Sequence, residues 1–181
     1  MLNIVKRTNS MPDLRYPAES KMALHFGSYS LMAKFRSPEN KLYPAFSLLG
    51  PRCRSWFTIT DDFQIERDSN HWNQFDTVVI TEQKFISENM QKAIANFLDK
   101  GGTLLVLDQD AFQFRIDGID LNEYREQLFG AKISHTSNSS KKIHFPDFES
   151  LPNSDSFNYK IDVLPGVEYR ALASFDDGSP A

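Results

Sequence analysis

Apolar positions along the chain change period several times, and each change predicts an element. Phe75-Asp76-Thr77-Val78-Val79-Ile80 ends in a continuous apolar run, as expected for a strand buried on both faces. Met90, Ala93, Ile94, Phe97 and Leu98 then recur at i, i+3, i+4, i+7 and i+8, which is one stripe of a helix. Ser87 is placed to cap that helix and Glu88 lies in its first turn, where the dipole favours an anion. Lys100 falls at its end, Gly101 supplies a left-handed exit, and Thr103-Leu104-Leu105-Val106-Leu107 reads as a second buried strand. Strand, helix and strand form a βαβ unit, whose strands must be parallel and joined by a right-handed crossover.

The flanks are less regular. Ala23-Leu24-His25-Phe26 predicts a first strand, and Trp56-Phe57-Thr58-Ile59-Thr60 an aromatic, β-branched one. Helical spacing covers 28–34 and 43–49, with the turn-rich Arg36–Asn40 between them and Gly50-Pro51 expected to break the second helix. A helix is expected over 121–129, ended by Gly130, and a polar loop or exposed hairpin over 134–142. Short strands are expected at 143–145 and 159–163. A longer one is expected over 167–175, followed by the Asp177-Gly178 turn. Residues 1–20 read as an irregular lead-in and 21–181 as a single domain. Because Phe175 to Ala181 reads as a strand, a turn and the start of another strand, the chain is expected to be cut short of a hairpin's second arm.

Composition narrows the partners. The 181 residues are 40% hydrophobic and 24% charged, enough for a sizeable core and inconsistent with wholesale disorder. Twenty basic against 24 acidic residues give a net charge of -4, so bulk charge does not signal nucleic-acid binding. The locally basic stretch carrying Lys34, Arg36, Lys41, Arg52 and Arg54 reads as a solvated face, with no nucleic-acid motif around it. No run approaches the ~18 apolar residues of a membrane span, and the N-terminus lacks the apolar core of a signal peptide. Location is left open, cytoplasmic on the chain as given. Asn138-Ser139-Ser140 fits a glycosylation sequon, read as chance without a secretory signal. One cysteine excludes an internal disulfide framework and a multi-cysteine metal site.

The segments Phe75–Ile80, Ile86-Ser87 and Ala95–Val106, with its Gly101-Gly102-Thr103 entry to a strand, resemble the class I glutamine-amidotransferase-like fold, a flavodoxin-like α/β sandwich. In particular they resemble the amidotransferase-like domain attached to some glycoside hydrolases, the β-galactosidase trimerisation domain. Ala171 to Ala181 resembles a late hairpin of that family. The resemblance implies a mainly parallel sheet flanked by helices with a C-terminal β-hairpin, and a task in subunit assembly or in completing a neighbouring active site. A working amidotransferase of this kind places a cysteine in a glycine-flanked elbow after the strand that corresponds to Thr103–Leu107. Here that elbow reads Asp108-Gln109-Asp110-Ala111-Phe112, without Cys, Ser or Gly. Amide transfer is therefore not expected.

The remaining chemistry is sparse. Asp108, Gln109, Asp110 and Phe112 follow the carboxyl end of a parallel strand, where open α/β sheets place ligands. With Asp117 and Asp120 they offer hard oxygens to Mg²⁺ or Ca²⁺, but the Gly and closing Glu of a calcium loop are missing. Solvation of the loop and a cap on the next turn is the favoured reading of these acids, and no metal or cofactor is assigned. Cys53 lies between Arg52 and Arg54, which would favour its thiolate. His25, His71, His135 and His144 have no metal-ligand spacing, and His25 and His144 read as ordinary strand residues. Tyr29, Tyr43, Trp56, Phe57 and Trp72 have faces suited to a sugar ring, although such residues more often fill a core or a subunit interface; Trp72, in a polar loop just before a strand, is the best candidate among them for a contact residue. The reading is an α/β, non-catalytic accessory domain of a carbohydrate-active enzyme. Its partners would be other domains of a parent enzyme or further copies of itself, with carbohydrate as a further ligand. The alternative is a small-molecule- or metal-binding domain, hydrolytic or not, using Asp108–Phe112.

Overall fold

A computed structural model describes residues 20–33, 42–135, 142–146, 148–152 and 159–180. The lead-in over 1–19, the loop around Arg36 and the sequon at Asn138 lie outside the described residues. The sequence reading treats 21–181 as one domain; in the structure two compact units form. One comprises residues up to Ala111 with Arg115–Gly118, the other Phe112–Phe114 with Ile119–Ala181.

The first unit is built on four parallel strands: β1 (Met22–Phe26), β2 (Thr58–Asp61), β3 (Thr77–Ile80) and β5 (Thr103–Val106), in the order β2-β1-β3-β5. The expected βαβ unit is β3, α4 (Glu88–Asp99) and β5, with Val79 opposite Leu105 in parallel register. The Ser87 hydroxyl accepts from the Met90 N–H at 3.0 Å, the cap the sequence indicated. At the other end Gly101 N–H bonds Leu98 C=O and Gly102 N–H bonds Phe97 C=O, with Gly101 at φ +82°. That double closure needs a left-handed residue, which glycine adopts without a Cβ clash.

The two faces of this sheet are covered unequally. Cross-strand register aligns Thr60, His25, Ile80 and Val106 on one face. There Trp72 stands edge-on between His25 (centroids 5.0 Å apart) and Phe97 of α4 (6.1 Å). On the opposite face Ile59, Leu24, Val79 and Leu105 align. Among the described residues its centre is covered by Leu42 and Ala45 of α2 (Leu42–Ser47), Leu49 of the turn after it and Phe57 just before β2, all packed on Leu24 and Val79. Ile59 stays 49% exposed and Leu105 45%. Gly50-Pro51, expected to break the helix, instead lies inside a π-helical turn over Leu48–Arg52 that continues α2. A π turn tolerates the proline because its wider hydrogen-bond spacing relaxes the clash with the preceding turn. The remaining helices of this unit are α1 (Ser28–Ala33) and α3 (Asp62–Arg67), the latter opened by a capping box between Asp61 and Gln64. The short strand β4 is Phe85–Ile86.

The second unit holds α5 (Asn122–Phe129), closed by Gly130 at φ +61° as expected, and two small antiparallel sheets. One pairs β7 (Ala131–His135) with β10 (Tyr159–Val163). The other orders β11 (Ser174–Phe175), β8 (Lys142–Phe145) and β9 (Phe148–Pro152) as β11-β8-β9. The short strand β6 (Phe114–Arg115) falls at the junction of the two units in sequence. The strand expected over 167–175 shrinks to Ser174–Phe175. Val167, Tyr169 and Leu172 are exposed, so their alternation meets no partner strand and no core. The Asp177-Gly178 hairpin is present: Phe175 N–H bonds Ser179 C=O and Ser174 bridges to Pro180.

Candidate functional site

The residues expected to form a ligand loop are held by the protein itself. Asp108 is buried. Its carboxylate accepts from the Gln83 N–H at 3.4 Å and the Asp110 N–H at 3.3 Å, and its carbonyl accepts from Ala111 N–H. Such an Asx-type turn uses the side chain to close its own backbone. Gln109 and Asp110 are half-buried. Phe112, in the other unit, is fully buried at φ 63° and stacks on Phe129 with centroids 5.8 Å apart. Asp117 is engaged by the Arg115 guanidinium, and Asp120 accepts from the Asn122 N–H. Among the described residues no three His, Cys, Asp or Glu side chains gather as metal ligands would.

Trp72 is not the contact residue its polar surroundings suggested. The segment His71–Gln74 winds as a 3-10 turn that turns the indole inward, leaving it with no exposed surface. Of the five aromatics considered, Trp56 (79% exposed) and Tyr43 (73%) face solvent. Phe57 packs edge-on against Phe46, at 5.4 Å. Trp56, Phe57, Phe46 and Ile59, with Arg54, Ser55 and Gly50, line a depression of about 430 Å³ beside the open edge of β2. Arg54 holds φ 55°, a conformation costly for a residue with a side chain. Cys53, next to it, is exposed.

A polar network that sequence reasoning missed ties the carboxyl ends of the strands together. His25 is the next-to-last residue of β1 and is fully buried. Its Nδ1 lies 3.1 Å from the Thr60 hydroxyl and its Nε2 3.3 Å from Asp62 Oδ1. A carboxylate only accepts, so Nε2 carries the proton and the Thr60 hydroxyl donates to Nδ1. Asp62 also accepts from the Tyr29 N–H (2.8 Å) and from Gln83 Nε2 (2.8 Å). Three donors on one buried carboxylate replace its lost hydration. Burial, with the Glu66 and Asp62 carboxylates, raises the Tyr29 phenol above its ordinary value. Both ring nitrogens of His25 are engaged inside the protein, so this network clamps strand ends. The signal in the sequence was a histidine inside the apolar run of β1 and an acid in the first turn of α3, directly after β2.

No protein-family model matches the chain, and no curated protein does. Solved structures do. A β-galactosidase from Rahnella sp. R3 superposes over 90% of this chain with a TM-score of 0.58 at 16% identity. The chain spans only 26% of that enzyme's length. A β-galactosidase from Bifidobacterium adolescentis matches over 87% of this chain and 77% of its own, with a TM-score of 0.50 at 16% identity. The likeness is one of fold, a mixed α/β architecture that occurs inside a larger glycoside hydrolase.

Proposed function

We propose that the chain is an amidotransferase-like accessory domain of a glycoside hydrolase, acting by contact and not by amide transfer. The observation that carries this reading is the apolar depression lined by Phe46, Trp56, Phe57 and Ile59, in which Trp56 is 79% exposed, Ile59 49% and Phe46 41%. A monomeric protein seldom leaves such side chains grouped on one surface, whereas an interface core uses them. The β-galactosidase likeness gives the context, and the elbow of Asp108–Phe112 offers no nucleophile to amide chemistry. The partner is a further copy of the chain or the rest of a parent hydrolase, and a stable contact would bury about 800 Å² on each side. The alternative, a ligand loop at Asp108–Phe112, is disfavoured because the Asp108 carboxylate already bonds two backbone amides.

The test is sedimentation equilibrium on the 181-residue chain and on its Trp56→Asp variant. Reversible association that the variant abolishes supports the reading. A chain that stays monomeric with and without the substitution removes self-assembly.

A further inference from the structure

The second unit carries a constellation that the proposed function does not use. In the three-stranded sheet β11-β8-β9, Ile143, Phe145 and Phe175 turn to the buried side, where they pack with Ala173. Side chains alternate along strands, so His144 on the central strand turns the other way. Register sets its neighbours. On β9 the pairs Ile143–Leu151 and Phe145–Phe148 leave Glu149 and Ser150 opposite His144 at the irregularity; on β11 its partner is Ser174, and Asp176 lies two residues farther along that side. His144 Nδ1 is 2.8 Å from Ser150 Oγ, and Nε2 is 2.8 Å from Asp176 Oδ1. The strand irregularity between Ile143 and Phe145 falls at this histidine, and bulges commonly re-aim side chains beside reactive sites.

The geometry points to a Ser150–His144–Asp176 charge-relay site that acts on uncharged carboxylic esters with a short acyl group. The His144 Nε2–H donates a hydrogen bond to the Asp176 carboxylate, which leaves Nδ1 as the acceptor for the Ser150 hydroxyl. Ser150 Oγ attacks the ester carbonyl carbon while its proton passes to Nδ1. The C–O bond to the alcohol then breaks, the alcohol leaves with that proton, and the acyl group stays on Ser150. Water then gives a proton to Nδ1 as its oxygen bonds the acyl carbon, the acyl–Oγ bond breaks, that proton returns to Ser150 Oγ, and the free acid leaves. His144, Ser150 and Asp176 are all solvent-accessible. A hollow of about 210 Å³ beside His144, walled by Phe145, Pro146, Ala171, Ala173 and Ser174, gives a short acyl chain an apolar seat. Its volume corresponds to about seven waters.

The full 181-residue chain is treated with diisopropyl fluorophosphate and mapped by mass spectrometry. The reagent reports the same step: Ser150 Oγ bonds phosphorus, fluoride leaves, and Nδ1 takes the proton. The expected result is a single adduct on Ser150, lost in Ser150→Ala, formed about 100-fold more slowly in His144→Gln and about 10-fold or more slowly in Asp176→Asn. p-Nitrophenyl acetate should then give a burst that follows the same order of variants. No adduct, adducts spread over surface serines, or a labelling rate unchanged in His144→Gln would each overturn the assignment and leave these contacts as a cross-strand clasp. Circular dichroism of each variant confirms that the sheet is intact.

Discussion

Replacing Asp62 with alanine removes the acceptor shared by three buried donors. His25 Nε2–H, the Tyr29 amide and Gln83 Nε2 all converge on its carboxylate, which is 1% exposed. The imidazole is neutral here, so the cost is that of three stranded buried donors, about 1–3 kcal/mol each before relaxation and about 3–5 kcal/mol together, because they find no water. For a chain of this size that corresponds to a fall in Tm of roughly 10 °C or more. Asp62→Asn keeps one acceptor oxygen and should lose less, about 2 kcal/mol. The chain has two tryptophans. In a Trp56→Phe background the fluorescence of Trp72, in edge contact with His25, reports this unit alone. Urea titration of that background, with and without Asp62→Ala, gives the difference. A loss below about 0.5 kcal/mol, the size of an ordinary surface change, would refute the reasoning that the network clamps the strand ends.

Two neighbouring glycines should differ in kind. A Cβ on Gly102 would lie 2.4 Å from Phe97 ring carbons, so Gly102→Ala should cost about 1–3 kcal/mol by displacing a core aromatic, measured by thermal denaturation. Gly101 has open space but φ +82°, so Gly101→Ala should cost about 1 kcal/mol from backbone strain alone, and Phe97→Leu should relieve only the Gly102 variant. Tyr124 has its phenol pushed up to about 12 by burial, against an ordinary 10.0. The unfolded tyrosine therefore ionises first, and stability that is intact below pH 10 should decline as pH rises towards 12. Alkaline denaturation of Tyr124→Phe should lack that component.

The sequence made the parallel βαβ unit legible down to its caps, because Ser87, the Met90–Phe97 stripe and Gly101 all agree with one another. Agreement of that kind is what specifies an element. It failed where tertiary partners decide. The 167–175 stretch alternates but meets no strand until Ser174, and Gly50-Pro51 sits inside a helical turn it was expected to end. Site residues were harder to read. Trp72 has polar sequence neighbours, yet a 3-10 turn drives it into the core, while Trp56, read as part of a strand, precedes β2 and stays exposed. The His25–Asp62 and His144–Asp176 pairs are separated by more than 30 residues, so only parallel or antiparallel register brings them together. Neither histidine has a local spacing that marks it.

Contact through the open aromatic face is tested most directly by sedimentation equilibrium over a wide concentration range. The mass should rise above the 20.8 kDa of one chain and return to 20.8 kDa with Trp56→Asp at unchanged helix and sheet content. A chain that sediments at 20.8 kDa throughout, with Trp56→Asp indistinguishable from it, would contradict self-assembly through that surface.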